Sequence, residues 1–181
     1  MKRIVLILFL LTFYVSGAIA RGNTASEAKK KAKELTKAGW ILYDPSGPAI
    51  DKQILAGWEY AAIPSKHDKS RRAYIMDTQI GKDKRLENAL IKARNACNSN
   101  LASQLQAEIG SFFSEQISIN SSNDDKEQTK QEVLNIIGEK TRKCLQDTED
   151  GLIIYRKLKD VYEVQITLRL NTDMLYEQED E

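Results

Sequence analysis

The apolar residues Leu86, Leu90, Ala93, Cys97, Leu101, Leu105, Ile109 and Phe112 recur three or four positions apart. That spacing lines them along one face of a helix with 3.6 residues per turn. The pattern predicts one uninterrupted helix from Asp83 to about Gln116, capped by Asp83. A helix this long with a single apolar stripe needs a cover, which the remaining segments must supply.

Upstream, Thr24 and Glu27 have the spacing of a capping box, ahead of a breaker-free run to about Ala38 that ends at Gly39. The apolar side of this first helix is thin (Ala28, Ala32, Leu35), so it is expected at the surface with its lysines as a solvated face. Trp40 to Tyr43 is a short apolar run stopped by the turn-forming Asp44-Pro45-Ser46-Gly47-Pro48. Pro48 suits the first turn of a second helix, whose face of Ile54, Leu55, Trp58 and Ala62 reaches about Ile63. Residues 64–72 read as a basic loop, and Ala73 to Ile80 as a strand closed by Gly81.

Downstream of the long helix, Ile117 to Asn120 alternates like a short strand and 121–125 is a polar turn. A helix follows over 126–138 with Val133, Leu134, Ile136 and Ile137, and from Thr141 the pattern changes to strands. Leu152 to Leu158 connects tightly through Lys159-Asp160 to Val161–Leu170. There Tyr162, Val164, Ile166, Leu168 and Leu170 point to the core, and Glu163, Gln165, Thr167 and Arg169 to water. The expected fold class is α+β: a long central helix and a second helix packed on a small, mainly antiparallel sheet, preceded by an N-terminal helical pair. Its segments are 1–20 (a signal peptide), 21–63 (helical), 64–72 (basic loop), 73–176 (the α+β domain) and 177–181 (an acidic tail).

The first segment carries Lys2 and Arg3, then an apolar run from Ile4 to Val15 and the small residues Ser16 to Ala20. That order describes a secretory signal peptide cleaved after Ala20. A retained single-span anchor competes with it, because an apolar run of about 17 residues sits at the lower edge of what crosses a bilayer. No cysteine lies near residues 16–22, so the chain is not expected to be lipid-anchored. Loss of Lys2 and Arg3 from the 27 basic residues, against 26 acidic ones, leaves a net charge of about −1, which argues against bulk nucleic-acid binding. The expected location is the periplasm or outside the cell.

In such an oxidising compartment Cys97 and Cys144 could pair, which would stabilise the fold by about 4 kcal/mol on the loop-entropy model. Because Cys97 lies on the apolar stripe, two buried unpaired thiols are the other reading. Trp40, Tyr43, Trp58 and Tyr60 are candidate ligand-groove residues, although aromatics at helical spacing also serve as core. His67, the one histidine, lies in the basic loop without a cysteine or acidic cluster, so no metal site is expected. Nor is there a Gly-rich phosphate loop or a Gly-x-Ser-x-Gly element, so no cofactor and no catalytic residue is assigned.

Gln79-Ile80-Gly81, followed by the run Ala89-Leu90-Ile91-Lys92-Ala93-Arg94-Asn95-Ala96-Cys97-Asn98-Ser99-Asn100-Leu101-Ala102-Ser103-Gln104-Leu105, resembles a motif of known envelope proteins. It is the A-x-x-x-A-x-x-x-A-x-x-N-L-A-x-x-I pattern of bacterial envelope lipoproteins of the LPP type and of the N-terminal domain of the flagellar-assembly protein FlgT. The likeness spans about residues 73–172, and Ala28 to Trp58 looks like the front part of secreted proteins carrying such a domain. The resemblance implies an α+β envelope domain without known enzymatic activity that acts in assembly or surface association. The lipidated cysteine of those lipoproteins has no counterpart here. In physical terms, alanines at 89, 93 and 96 let the helix approach the sheet closely, and Asn95, Asn98 and Asn100 can bond nearby loops or face water.

Three function classes follow. The leading expectation is a non-enzymatic envelope module that binds an envelope protein or a cell-wall component. A carrier of a small apolar ligand or lipid would use the four aromatics in a deep pocket. An envelope hydrolase would use carboxylates such as Asp77 and Glu108, converging in a cleft.

Overall fold

The computed structural model describes residues 24–120 and 126–175. The segments 1–20 and 177–181, the turn at 121–125 and the side chains of Phe112 and Val133 lie outside the described residues. The element order is α1 (Ala25–Lys37), β1 (Ile41–Leu42), α2 (Ile50–Ala62), β2 (Tyr74–Asp83), α3 (Leu86–Asn120), α4 (Lys126–Gln146), β3 (Glu149–Leu158) and β4 (Val161–Asn171), with a 3-10 turn at Asp173–Leu175. The strands form one antiparallel sheet in the order β1-β3-β4-β2. The fold is α+β.

Both faces of the sheet are covered. On one face α3 lays Ala93, Cys97 and Leu101 against Ile166 and Leu168, and Leu105 with Cys144 of α4 against Leu170. On the other, Ala28 of α1 and Ile54 of α2 close with Trp40 over Leu152 and Ile154. Burying one large aliphatic side chain such as Leu101 contributes about 1.5–3 kcal/mol, so these two layers are the main source of stability. The contact of α3 is close because its small residues permit it: Ala89 and Ala93 are fully buried and Gly81 passes directly beneath them.

The α1 start forms as the capping box predicts, with Thr24 N–H donating to Glu27 and the Glu27 N–H to Thr24 Oγ1. Several expected boundaries move. β2 does not end at Gly81 but runs through it to Asp83, since Gly81 pairs with Val164 in the ladder. Asp83 is therefore the last strand residue, and its carboxylate takes the Arg85 N–H at 3.0 Å and Lys92 Nζ at 2.6 Å. Those partners hold it ionised, Lys92 first, with its pKa down to about 2. Pro48 precedes α2, whose N-cap is Ala49.

The expected strand at Ile117 to Asn120 is instead the last turn of α3, and α4 continues through Thr141 to Gln146 before β3 begins at Glu149. No glycine or proline interrupts 111–120 or 139–146, so the helix ladder can continue where a four-residue alternation is too short to oppose it. The outward face of β4 is also only partly wet. Glu163 is buried at 4% exposure beneath the N-terminal layer, rather than turned to water.

The two thiols are unbonded and buried. Cys97 Sγ donates to the carbonyl oxygens of Asp77 and Ile166, whereas Cys144 packs at the level of Leu105. Leu105 lies eight residues beyond Cys97, about 12 Å along the helix axis, a spacing outside disulfide geometry.

Candidate interaction groove

A groove opens where α1, β1 and the start of α2 meet the edge of the sheet. Gly39, at φ +84°, turns the chain out of α1, and the Trp40 N–H returns to the Leu35 carbonyl. β1 then pairs Ile41 with Tyr155 and Leu42 with Ile154, and the Tyr43 N–H donates to Ile153. Asp44 receives the Ser46 N–H and hydroxyl, which bends the chain back toward α2.

The resulting depression is shallow and broadly open to solvent, with about 550 Å³ of accessible space. Ala32, Lys33 and Thr36 of α1 form one wall, and Ala49, Ile50 and Asp51 at the start of α2 form the other. Trp40, Ile41 and Leu42 make its floor, and Pro45 and Tyr155 also line it. The lining is mainly apolar, with one cation, Lys33, and one anion, Asp51, on opposite walls. Ile41 is 50% exposed in it.

Trp40 is held from behind. The Arg156 guanidinium lies 4.6 Å from its ring centroid, bonds Glu163 through Nε at 2.7 Å and donates to the Ala38 carbonyl. Glu163 also pairs with Lys82. Burial pushes the Glu163 carboxyl upward, but its bonds to Lys82 and Arg156 outweigh that and hold it below the ordinary glutamate value. The floor is thus anchored to β2, β3 and β4 together.

The four aromatics singled out in the sequence do not share this site. Trp40 alone lines it. Tyr43 stands one ring behind, edge-to-face with Tyr155 at 6.2 Å. Trp58 packs into the core beside Ile54 and Leu152. Tyr60 lies on the far part of the sheet, 4.9 Å from the Tyr74 ring and under the Arg169 guanidinium at 3.7 Å.

The carboxylates of the hydrolase reading are separated too. Asp77 accepts from Gln79 and Asn100, while Glu108, raised by burial and pulled back by Arg71, is eight residues further along α3 than Asn100, about 12 Å of helix. That spacing is longer than paired glycosidase carboxylates use. His67 is exposed in the basic loop, its N–H donated to Ser65 Oγ at 3.1 Å. Beneath that loop the buried Asp173 carboxylate takes the Lys66 N–H. Burial pushes the Asp173 pKa up, but the bonds from Ser65 and Lys66 outweigh it and hold it low.

Ile41, Ala32, Thr36, Ile50 and Tyr155 also line the groove, and none of them was a candidate ligand contact in the sequence. An isoleucine beside a buried tryptophan in a two-residue strand is the one local sign of them. Among the described residues no group of three acidic, cysteine or histidine side chains could hold a metal, and no helix is long and apolar enough to cross a membrane. Comparison of the chain with protein-family models, with curated proteins and with solved structures finds no match.

Proposed function

We propose that the protein is an exported, non-enzymatic envelope module that binds a protein partner through the α1-β1-α2 groove. The observation that carries this reading is the groove itself: an open, mainly apolar depression with Ile41 half exposed on a rigidly anchored floor. An open groove with opposite charges on its two walls suits an apolar side chain on a peptide segment better than a buried lipid or a glycan. Export rests on the charge, apolar run and small-residue exit of residues 1–20. The resemblance of residues 73–172 to envelope assembly domains points the same way.

A photo-reactive residue at Ile41 in intact cells tests this, with a second at Asp160 in the β3-β4 turn as control. A discrete protein adduct from position 41, absent from 160, is expected in the envelope fraction, on a chain beginning at Arg21. An unprocessed cytoplasmic chain, or identical adducts from both positions, contradicts it.

A further inference from the structure

β2 is the outermost strand on one side of the sheet and presents a ten-residue edge there, whereas on the other side β1 pairs with Tyr155 and Ile154 of β3. The direction of the β2 backbone groups follows from one bond. The Thr172 N–H donates to the Ala73 carbonyl at 2.8 Å, so in the alternation of an antiparallel ladder the odd-numbered residues of β2 bond β4. The N–H and C=O of Tyr74, Met76, Thr78, Ile80 and Lys82 therefore point away from the sheet. Among the described residues, the Lys82 carbonyl alone has a partner there, Lys92 Nζ at 3.4 Å.

We infer that this edge pairs antiparallel with the β2 edge of a second copy of the chain, centred on Thr78 opposite its symmetry mate. Two observations select that occupant and that register. First, residues 63–65 bond alongside 71–73, through Ala73 N–H to Ile63 and Ser65 N–H to Arg71. They close the edge just before Tyr74, so a partner strand cannot slide past it. Centring on Thr78 is then the longest pairing left, with about ten backbone hydrogen bonds, and other registers leave outward groups unpaired. Second, the strand is complementary to itself in that register. Met76 meets Ile80, which is 48% exposed in the single chain, Lys82 meets the Tyr74 ring, and Asp77 meets Gln79, with no like charges opposed. The result is a two-fold interface that extends the sheet across both copies and covers an otherwise unprotected edge.

Light scattering of the purified protein is expected to give twice the chain mass. Thr78→Pro removes the outward N–H, together with the exposed Thr78 hydroxyl bond to Thr167 at 2.8 Å within the chain, and is expected to weaken association on the order of tenfold or more, from two lost hydrogen bonds across the axis, while the helical circular dichroism persists. Where that variant fails to fold, Ile80→Lys is expected to dissociate the dimer instead. Oxidation of Thr78→Cys is expected to give a covalent dimer, and of Gln79→Cys no covalent link between the copies. A wild-type monomer at every concentration measured overturns the proposal, as does a dimer that survives both Thr78→Pro and Ile80→Lys, or one linked through position 79 and not 78. These outcomes are independent of the α1-β1-α2 groove, so that reading stands or falls separately.

Discussion

Gly81 and Ala89 touch so closely that a β-carbon added to the glycine would collide with the Ala89 carbonyl oxygen and lie 2.6 Å from the Ala93 nitrogen. Both obstacles are helix backbone, which cannot turn aside as a flexible side chain could. Gly81→Ala is therefore expected to destabilise the fold by about 3 kcal/mol or more, read as a fall in the thermal midpoint. Ala93→Leu, which wedges the same contact from the helix side, is expected to cost about 1–3 kcal/mol. An unchanged midpoint in both variants would contradict the close packing of α3 on β2.

Glu163 links stability to pH. Its folded-state pKa lies below the ordinary 4.5, because Lys82 and Arg156 outweigh the burial that raises it. A depressed acid contributes its stability above the unfolded-state pKa and loses it as pH falls through the folded one. Wild-type stability is expected to decline as pH drops below about 4.5. Glu163→Gln is expected to be about 1–3 kcal/mol less stable at neutral pH, through its weakened charged contacts with Lys82 and Arg156, with a flatter acid limb. Denaturant titrations at pH 7 and pH 4 measure both.

The thiols give a chemical readout of the core. Burial pushes the Cys97 thiol up to about 12, and burial raises Cys144 as well. Neither is expected to react with a disulfide reagent at neutral pH in the native state. In denaturant without reductant both should react. Fewer than two reactive thiols under those conditions would mean a disulfide and a different packing of α4.

The long helix was legible because its stripe is strictly local: Leu101 and Leu105 repeat within one segment and are fully buried in the fold. The clean alternation from Val164 to Leu170 was legible for the same reason. Helix ends were not, since neither 117–120 nor 141–146 carries a glycine or proline to mark a stop. The burial of Glu163 depends on Arg156, Lys82 and the α1 terminus arriving from three separate parts of the chain, which no local period encodes. The groove is a similar case. It joins Trp40 to Tyr155 across more than half the sequence, so of the four candidate aromatics a local reading could place only Trp40 correctly.

The groove is tested most directly by the affinity of the partner captured from position 41 for the purified protein, measured by calorimetry for wild type and for Ile41→Asp. Ile41 is half exposed, so the substitution leaves the core intact while placing a charge on the apolar floor. Binding is expected to weaken by at least about tenfold, the equivalent of 1.4 kcal/mol, with the thermal midpoint unchanged. Equal affinity for both proteins would contradict the groove as the binding site.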